Sequence, residues 1–491
     1  MKLHWIVLTI PLLAACGTAV KMPDESQVKR DAQIQAAAAW SSALPHGGST
    51  AQLINWWTQL GDSVFDELMQ AAQQSSATLA SALSRIAQAR VGVARSEDAV
   101  SPNANLSAQG SRGVQQPKAP PATSLSVGVQ ASWEMDLWGG NRAALNAAQL
   151  RARGAELGWH EARVAVAADM ASAYTGYRYC ESLLALTQRD AASRLETARL
   201  AELTSQAGFS APATAQLARA SSLDAANSVT TTQAQCDVQI KSLVALSGLR
   251  EAGLREKLKQ NTVQASKLAT QNSLFSIAPS VFQVPASILA QRPDIAAAQL
   301  DVTAAALDIR SADAARYPSL SLSGNIGSSQ IRQTGLTTEG LTWGIGPIAL
   351  SLPLTNQDVT RNSTEAAVAA YEAAATTLKA KARKAVSEVE TALVNLNAAA
   401  QRKAQTQSAA TGYAASLAAT QARYRAGLAS LVELEDARRT ALMAEQNQLA
   451  VERDRIAAWI NLYRATGGGW QPDASISTAA QTATPVRATQ P

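Results

Sequence analysis

Aromatic residues make up only 4% of the 491-residue chain, with Phe occurring 4 times, and the apolar content is largely alanine. So few large side chains argue against a thick globular core and favour closely packed helices. Histidine is nearly absent: of 3 residues, His4 and His46 lie in the N-terminal region and His160 stands alone in a helix-forming run. There is no HExxH, GxSxG, phosphate loop or CxxC, so no clustered catalytic site, metal site or cofactor site is expected. Basic residues exceed acidic ones by only 5 and form no tract, which excludes nucleic acid as an expected partner. No segment after the first 16 residues supplies the ~20 consecutive apolar residues of a membrane helix. Proline is missing from the whole stretch Thr355 to Trp470.

That missing proline turns the reading to what is there. The stretch is dominated by Ala, Glu, Gln, Arg and Leu, strong helix formers, and Gly427 suits a helix C-terminus because glycine takes a left-handed backbone at no steric cost. The pattern predicts two long antiparallel helices meeting in a tight turn near Gly427 to Ser430. From Arg361 to Ala426, at about 1.5 Å per residue, the first would reach roughly 100 Å, and a rod of that length must be buried by other rods.

The same design occurs earlier. Gly208, followed by Pro212 where a helix can begin, lies between two long proline-free runs. Gly208 and Gly427 are 219 residues apart (427 − 208), and so are the helix ends at Gly248 and Gly467. Pro102 and Pro318, each opening a strand-like stretch, are 216 apart (318 − 102). The chain therefore reads as an internal duplication in which each half is a helix, a strand pair and a long helical hairpin. The expected organisation is a leader at 1–15, a linker at 16–58, a first repeat at 59–250, an irregular connector at 251–284, a second repeat at 285–467 and a disordered tail at 468–491.

In the strand regions Leu125, Val127, Val129, Ala131, Trp133, Met135 and Leu137 alternate with polar or small residues, the period of two of a strand with one apolar face. Ala104 to Gly113 is the expected partner, and before it a helix starting near Ser63, with Phe65, Leu68, Ala72, Leu79, Leu83, Ile86 and Ala89 at helical spacing, is expected to run to Pro102. Leu320, Leu322 and Ile326, then Leu341, Trp343 and Ile345, repeat the arrangement. Alternation alone fits a soluble sandwich sheet as well as a transmembrane barrel. Four strands cannot close a wide barrel, so a barrel requires several chains to pool them.

The N-terminus carries Lys2, an apolar run from Trp5 to Leu13, and Leu13-Ala-Ala-Cys16, which resembles a bacterial lipoprotein signal that leaves Cys16 to be acylated. Gly17 follows Cys16, which implies sorting to the outer membrane. Cys180 and Cys236 remain, and their midpoint is Gly208, the turn itself. Two residues equally far from the turn of an antiparallel pair lie at one height, so a disulfide is geometrically natural there, with two separate buried thiols as the alternative.

Four stretches carry a family resemblance: Trp133-Glu-Met-Asp-Leu-Trp-Gly139, Pro285 to Ile295 with Arg292-Pro293-Asp294, Gly346-Pro347 through Leu354, and Gly467-Gly-Gly-Trp470. On these the chain resembles the outer-membrane factors of the TolC/OprM type, in their lipoprotein branch. The resemblance implies a mostly α fold with transmembrane β. It would be a homotrimer with a 12-stranded β-barrel continued by a long α-helical periplasmic barrel. The implied role is a passive efflux duct, not an enzyme, held by outer-membrane lipid and working with a periplasmic adaptor (membrane fusion protein) and an inner-membrane pump. It further implies a periplasmic gate at Tyr424, Glu433 and Asp436, and adaptor contacts at the turns, Gly208 with Phe209 and Gly427 with Leu428. Glu433 and Asp436 equally suit the dipole of the returning helix. Thr214 and Ala429 depart from the pattern, since some members carry an acid and an arginine there, so any resting lock must use other partners. After Leu354, Thr355-Asn356-Gln357 replaces the usual turn. The competing class is a periplasmic coiled-coil adaptor or structural lipoprotein, for which a single hairpin flanked by compact β domains would be expected.

Overall fold

The computed structural model describes residues 22–33, 62–114, 120–268, 292–353 and 357–470. Cys16, the leader, Pro285 to Gln291, Leu354 to Asn356 and the tail after Trp470 lie outside the described residues. In chain order the elements are α1 (Glu25–Ala32), α2 (Ser63–Ser75), α3 (Ala77–Val100), β1 (Asn103–Gly113), β2 (Ala122–Met135), α4 (Gly140–Gln206), α5 (Pro212–Ser247), α6 (Glu251–Leu268), α7 (Pro293–Ala314), β3 (Ser319–Gln333), β4 (Leu336–Ser351), α8 (Gln357–Arg425) and α9 (Leu431–Ala465), closed by a 3-10 turn at Gly467–Gly469. Helix, two strands, long helix, turn and long helix thus occur twice in order. The chain divides into two compact units. One holds α1, the sheet, and the parts of α3, α4, α7 and α8 within Arg90–Arg151 and Asp301–Thr376; the other holds the remaining helices.

In the first unit the strands form one antiparallel sheet in the order β1-β2-β3-β4. Its register puts Leu106, Val129, Ile326 and Trp343 in one cross-strand row and Asn105, Gln130, Asn325 and Gly344 in the next, on the opposite face. The apolar face is uncovered: Leu106 is 75% exposed, Trp343 71% and Ile345 83%. At the centre Gly128 faces Gly327, where a Cβ on Gly327 would lie 2.7 Å from the Val127 carbonyl oxygen, so only glycine fits this approach of β2 and β3. Thr334 (φ 50°) and Gly335 (φ 86°) form the two-residue turn joining β3 to β4, the left-handed pair that matches strand twist.

The Trp133 to Gly139 motif has a local physical account. Asp136 accepts the backbone N–H groups of Asn141 (3.2 Å) and Arg142 (2.9 Å), satisfying orphan donors at the start of α4. Trp138 stacks on Tyr317 at 4.8 Å and donates its indole N–H to the Pro318 carbonyl at 2.8 Å, tying the exit of β2 to the entry of β3.

The second unit is helical. Its core gathers Phe65, Leu68, Met170, Tyr174, Leu243, Leu254, Leu258, Leu393, Trp459 and Leu462. Asp62 caps α2 by accepting from the N–H groups of Val64 and Phe65, and the same carboxylate accepts from the Tyr174 hydroxyl and from Arg178 at 3.2 Å. Burial holds the Tyr174 hydroxyl far above its ordinary pKa, so it stays a donor. Arg292, 8% exposed, bonds Asp294 (2.9 and 2.8 Å), Glu388 (2.8 Å) and the carbonyl of Ala465 (2.7 Å). It thereby closes the C-terminus of α9 against α7 and α8, which explains the Arg-Pro-Asp stretch.

Cys180 of α4 and Cys236 of α5 are disulfide-bonded, with Cα atoms 5.4 Å apart. The bond staples the two helices of the first hairpin at equal height above Gly208.

Four expectations need correction, the first being the start of the disordered tail at 468–491, since Gly468 and Gly469 are buried in the 3-10 turn Gly467–Gly469. The helix from Ser63 towards Pro102 is broken at Ser76, whose extended backbone (φ −68°, ψ 117°) starts α3 with its hydroxyl on the N–H of Leu79. The connector from 251 is helical through Leu268, because Leu254 and Leu258, one turn apart, are 2% and 1% exposed and hold α6 on the core. Within the expected linker, Asp24 caps α1 through the N–H of Gln27 (2.6 Å), and Asp31 accepts from the Tyr371 hydroxyl (2.9 Å).

Two outcomes follow. Arg292→Met leaves Asp294 and Glu388 without their buried cation and is expected to cost about 3–5 kcal/mol, read as a lowered denaturation midpoint. Proteolysis without reductant is expected to release Cys180 and Cys236 in one linked peptide pair. Cys180→Ser with Cys236→Ser should remove about 4 kcal/mol of stability, given the 56-residue separation.

Candidate functional site: the two hairpin turns

Both turns of the second unit end a long helix in the same way. At the first, Gly208 takes φ 80°, its N–H reaches the Ser205 carbonyl (3.0 Å) and the N–H of Phe209 reaches that of Thr204 (2.8 Å). At the second, Gly427 takes φ 75°, its N–H reaches the Tyr424 carbonyl (3.0 Å) and the N–H of Leu428 reaches that of Arg423 (2.8 Å). A left-handed glycine with two such bonds satisfies the last carbonyls of a helix and reverses the chain within a few residues. Each turn presents the apolar residue after its glycine to solvent, Phe209 at 87% and Leu428 at 70% exposure.

The returning helices start differently. Pro212 opens α5 in its first turn, with no side-chain cap from Ala211. Ser430 and Glu433 form a reciprocal capping box on α9: the Glu433 N–H donates to the Ser430 hydroxyl (3.1 Å) and the Ser430 N–H to the Glu433 carboxylate (3.2 Å). Arg423 stands 4.0 Å from Glu433 and donates to the Leu428 carbonyl at 3.0 Å.

The residues singled out for a gate thus occupy distinct surroundings. Glu433 serves the start of α9, with its side chain still 55% exposed. Asp436, 59% exposed, pairs with Arg439 one turn on at 2.5 Å. Tyr424 is half-buried against Ala201, Ala218, Leu431 and Leu434. Thr214 lies in the first turn of α5 with its N–H on the Ala211 carbonyl.

One cluster escaped sequence reasoning. Glu435 accepts from Arg194 (2.6 Å), from the Ser221 hydroxyl (2.6 Å) and from Arg438 (2.8 Å). Arg438, 5% exposed, also donates to Thr197 (2.6 Å) and Ser193 (3.1 Å), while Arg194 holds Asp190 (2.8 Å). These bonds tie α9 to α4 and α5 just beyond the turns. The available signal was Arg438 itself, which falls in the apolar series Leu431, Leu434, Ala441 and Ala444 of α9, where a charge must find buried partners.

Among the described residues no group of His, Cys, Asp and Glu is placed to hold a metal ion, and no helix is long and apolar enough to cross a membrane. What the geometry offers is two presented turns, a polar tie between hairpins and an uncovered apolar sheet.

The solvent efflux pump outer membrane protein SrpC of Pseudomonas putida is 25% identical over 349 residues, 71% of this chain and 72% of that one. The pyoverdine export outer membrane protein OpmQ of Pseudomonas aeruginosa is 25% identical over 495 aligned positions, covering 96% and 98%. Among solved structures, the CmeC outer membrane channel of Campylobacter jejuni has the same fold, with a TM-score of 0.74 and 20% identity over 91% of this chain and 93% of that one. The model of the outer membrane efflux protein family matches residues 68–249 and 284–468, one match in each repeat. A chain matched over both halves in this way belongs to the outer membrane efflux protein family, whose members form the outer-membrane channel of efflux systems.

Proposed function

We propose that the protein is a passive duct: a homotrimer in which each chain contributes four strands to a twelve-stranded barrel in the outer membrane. Its helical hairpins would continue as a tunnel through the periplasm. The observation that carries this reading is the sheet, whose face bearing Leu106, Leu341, Trp343 and Ile345 is 70% exposed or more at each of these residues. Water is a poor solvent for such a face and lipid a good one, while β1 and β4 are edge strands whose outward backbone groups need partners. Copies of the same chain meet both needs if β4 of one pairs with β1 of the next.

On this reading Cys16 carries the lipid anchor. An inner-membrane pump and a periplasmic adaptor supply the energy and the docking, and the turns at Gly208–Phe209 and Gly427–Leu428 receive the adaptor. Tyr424, Glu433 and Asp436 line the constriction. Three copies of the two acids around an axis would favour cations, because like charges facing a narrow lumen focus the field. The Glu435 cluster supplies the polar tie that Thr214 and Ala429 lack. The relatives serve solvent efflux and pyoverdine export, and the cargo here is whatever the partner pump selects.

Purified full-length protein is expected to pass current across a planar lipid bilayer in discrete steps, with cations favoured over anions; a silent bilayer contradicts the duct. Gly427→Val, which forces a β-branched residue to φ 75°, should leave the trimer intact and abolish pump-dependent resistance; full resistance in that variant contradicts the role given to the turn.

A further inference from the structure

We infer that the rim of the sheet farthest from the helices holds a binding site for a phosphate-bearing lipid headgroup, built on Arg112 and Arg332. The register puts Arg112 opposite Thr123, Thr123 opposite Arg332 and Arg332 opposite Thr337, in one row across all four strands. Counting back in steps of two from this row reaches Leu106, Val129, Ile326 and Trp343, so both arginines stand on the apolar face. Two strand spacings separate them, about 10 Å, and six residues of β4, about 20 Å, separate Thr337 from Trp343. The row therefore lies past the apolar band, at the height where lipid headgroups begin.

The chemistry of the row is that of an anion site. Cross-strand neighbours of both arginines are threonines, which bring hydroxyls and no charge. Among the described residues neither Arg112 nor Arg332 forms an ion pair. The one nearby acid, Glu339, sits a row closer to the apolar band, directly opposite Gln330, and accepts from its amide at 3.1 Å. An arginine fork matches phosphate in two-point geometry.

Which headgroup is decided by which rim this is. The row borders the Thr334–Gly335 turn and the end of β1, whereas α3, α4, α7 and α8 join the sheet at its opposite end. The inference rests on the duct reading, in which the helices occupy the periplasm, so the arginine row faces the outer leaflet. In a bacterial outer membrane that leaflet is paved with phosphorylated glycolipid, and the proposed ligand is its phosphorylated disaccharide headgroup. Closure of the barrel by three chains would repeat the arginine pair around the rim.

The test uses the full-length trimer in detergent with three probes: lipid A carrying both phosphates, the same lipid A with its phosphates removed, and inorganic phosphate. Bound lipid is counted by native mass spectrometry and stabilisation is read as the shift in unfolding temperature. The bisphosphorylated lipid is expected to bind and raise the unfolding temperature, the dephosphorylated lipid to do so markedly less, and inorganic phosphate not at all. Arg112→Gln with Arg332→Gln should weaken lipid A binding about fivefold for each arginine removed, Arg→Lys at both positions should keep the charge but only part of the binding, and Glu339→Gln should keep or strengthen it. Equal stabilisation by the two lipids, reproduction by inorganic phosphate, no shift with lipid A, or full binding by the double glutamine variant overturns the proposal. Should the double variant fail to assemble, the two lipids compared on the unaltered protein still decide it. A trimer that conducts but ignores the phosphates loses this site alone, whereas one that does not conduct loses the duct.

Discussion

The structure turns on a mismatch between one polypeptide and the surface it builds. A four-stranded antiparallel sheet has two edges of unpaired backbone groups, and this one also presents a face of Leu, Ile and Trp side chains to solvent. Folding removes polar backbone and apolar surface from water wherever it can. Here the chain leaves both outside, and does so with regular pairing of β1 to β2, β2 to β3 and β3 to β4. Such a sheet is unfinished by itself, and the completion it calls for is lateral pairing with further sheets in a solvent as apolar as its outer face.

The helical unit settles its own accounts internally. Its core is continuous, its charged groups meet partners at Arg178, Arg292 and Arg438, and the two turns close by one backbone device at equivalent positions of the duplication. The repeats then diverge in what holds them. The first hairpin has a covalent staple between Cys180 and Cys236 and a proline start on α5; the second has the Ser430–Glu433 capping box and the ion pairs of Glu435. A covalent cross-link fixes one hairpin, while the other is joined to it by bonds that water and protons can exchange.

Much of this was legible in the residues. Alternation in Leu125 to Met135 marked a strand because the period of two admits no other regular structure, and Gly208 and Gly427 marked turns because so little else interrupts long helical runs. The position of the cysteines about Gly208 carried the geometry of their pairing. What escaped was decided by contacts distant in sequence. The helix α6 is held by Leu254 and Leu258 on a core drawn from six other helices, and its own sequence carries only a weak amphipathic signal. The break at Ser76 interrupts a run whose apolar spacing continues on both sides. Burial of Arg438 follows from Glu435, Thr197 and Ser193, of which two lie more than 240 residues away. The gate assignment came from family resemblance, and the chain adds that Glu433 has a local task at the start of α9 and Asp436 a local partner in Arg439.

The number of chains in the particle tests the central claim most directly. Light scattering of the protein solubilised in mild detergent, with the detergent contribution subtracted, should give about three times the mass of one chain, whose full sequence is 51.3 kDa. A particle with the mass of one chain, folded and stable with its apolar sheet face in the micelle, would contradict the account, because the edges of β1 and β4 would then need no partner.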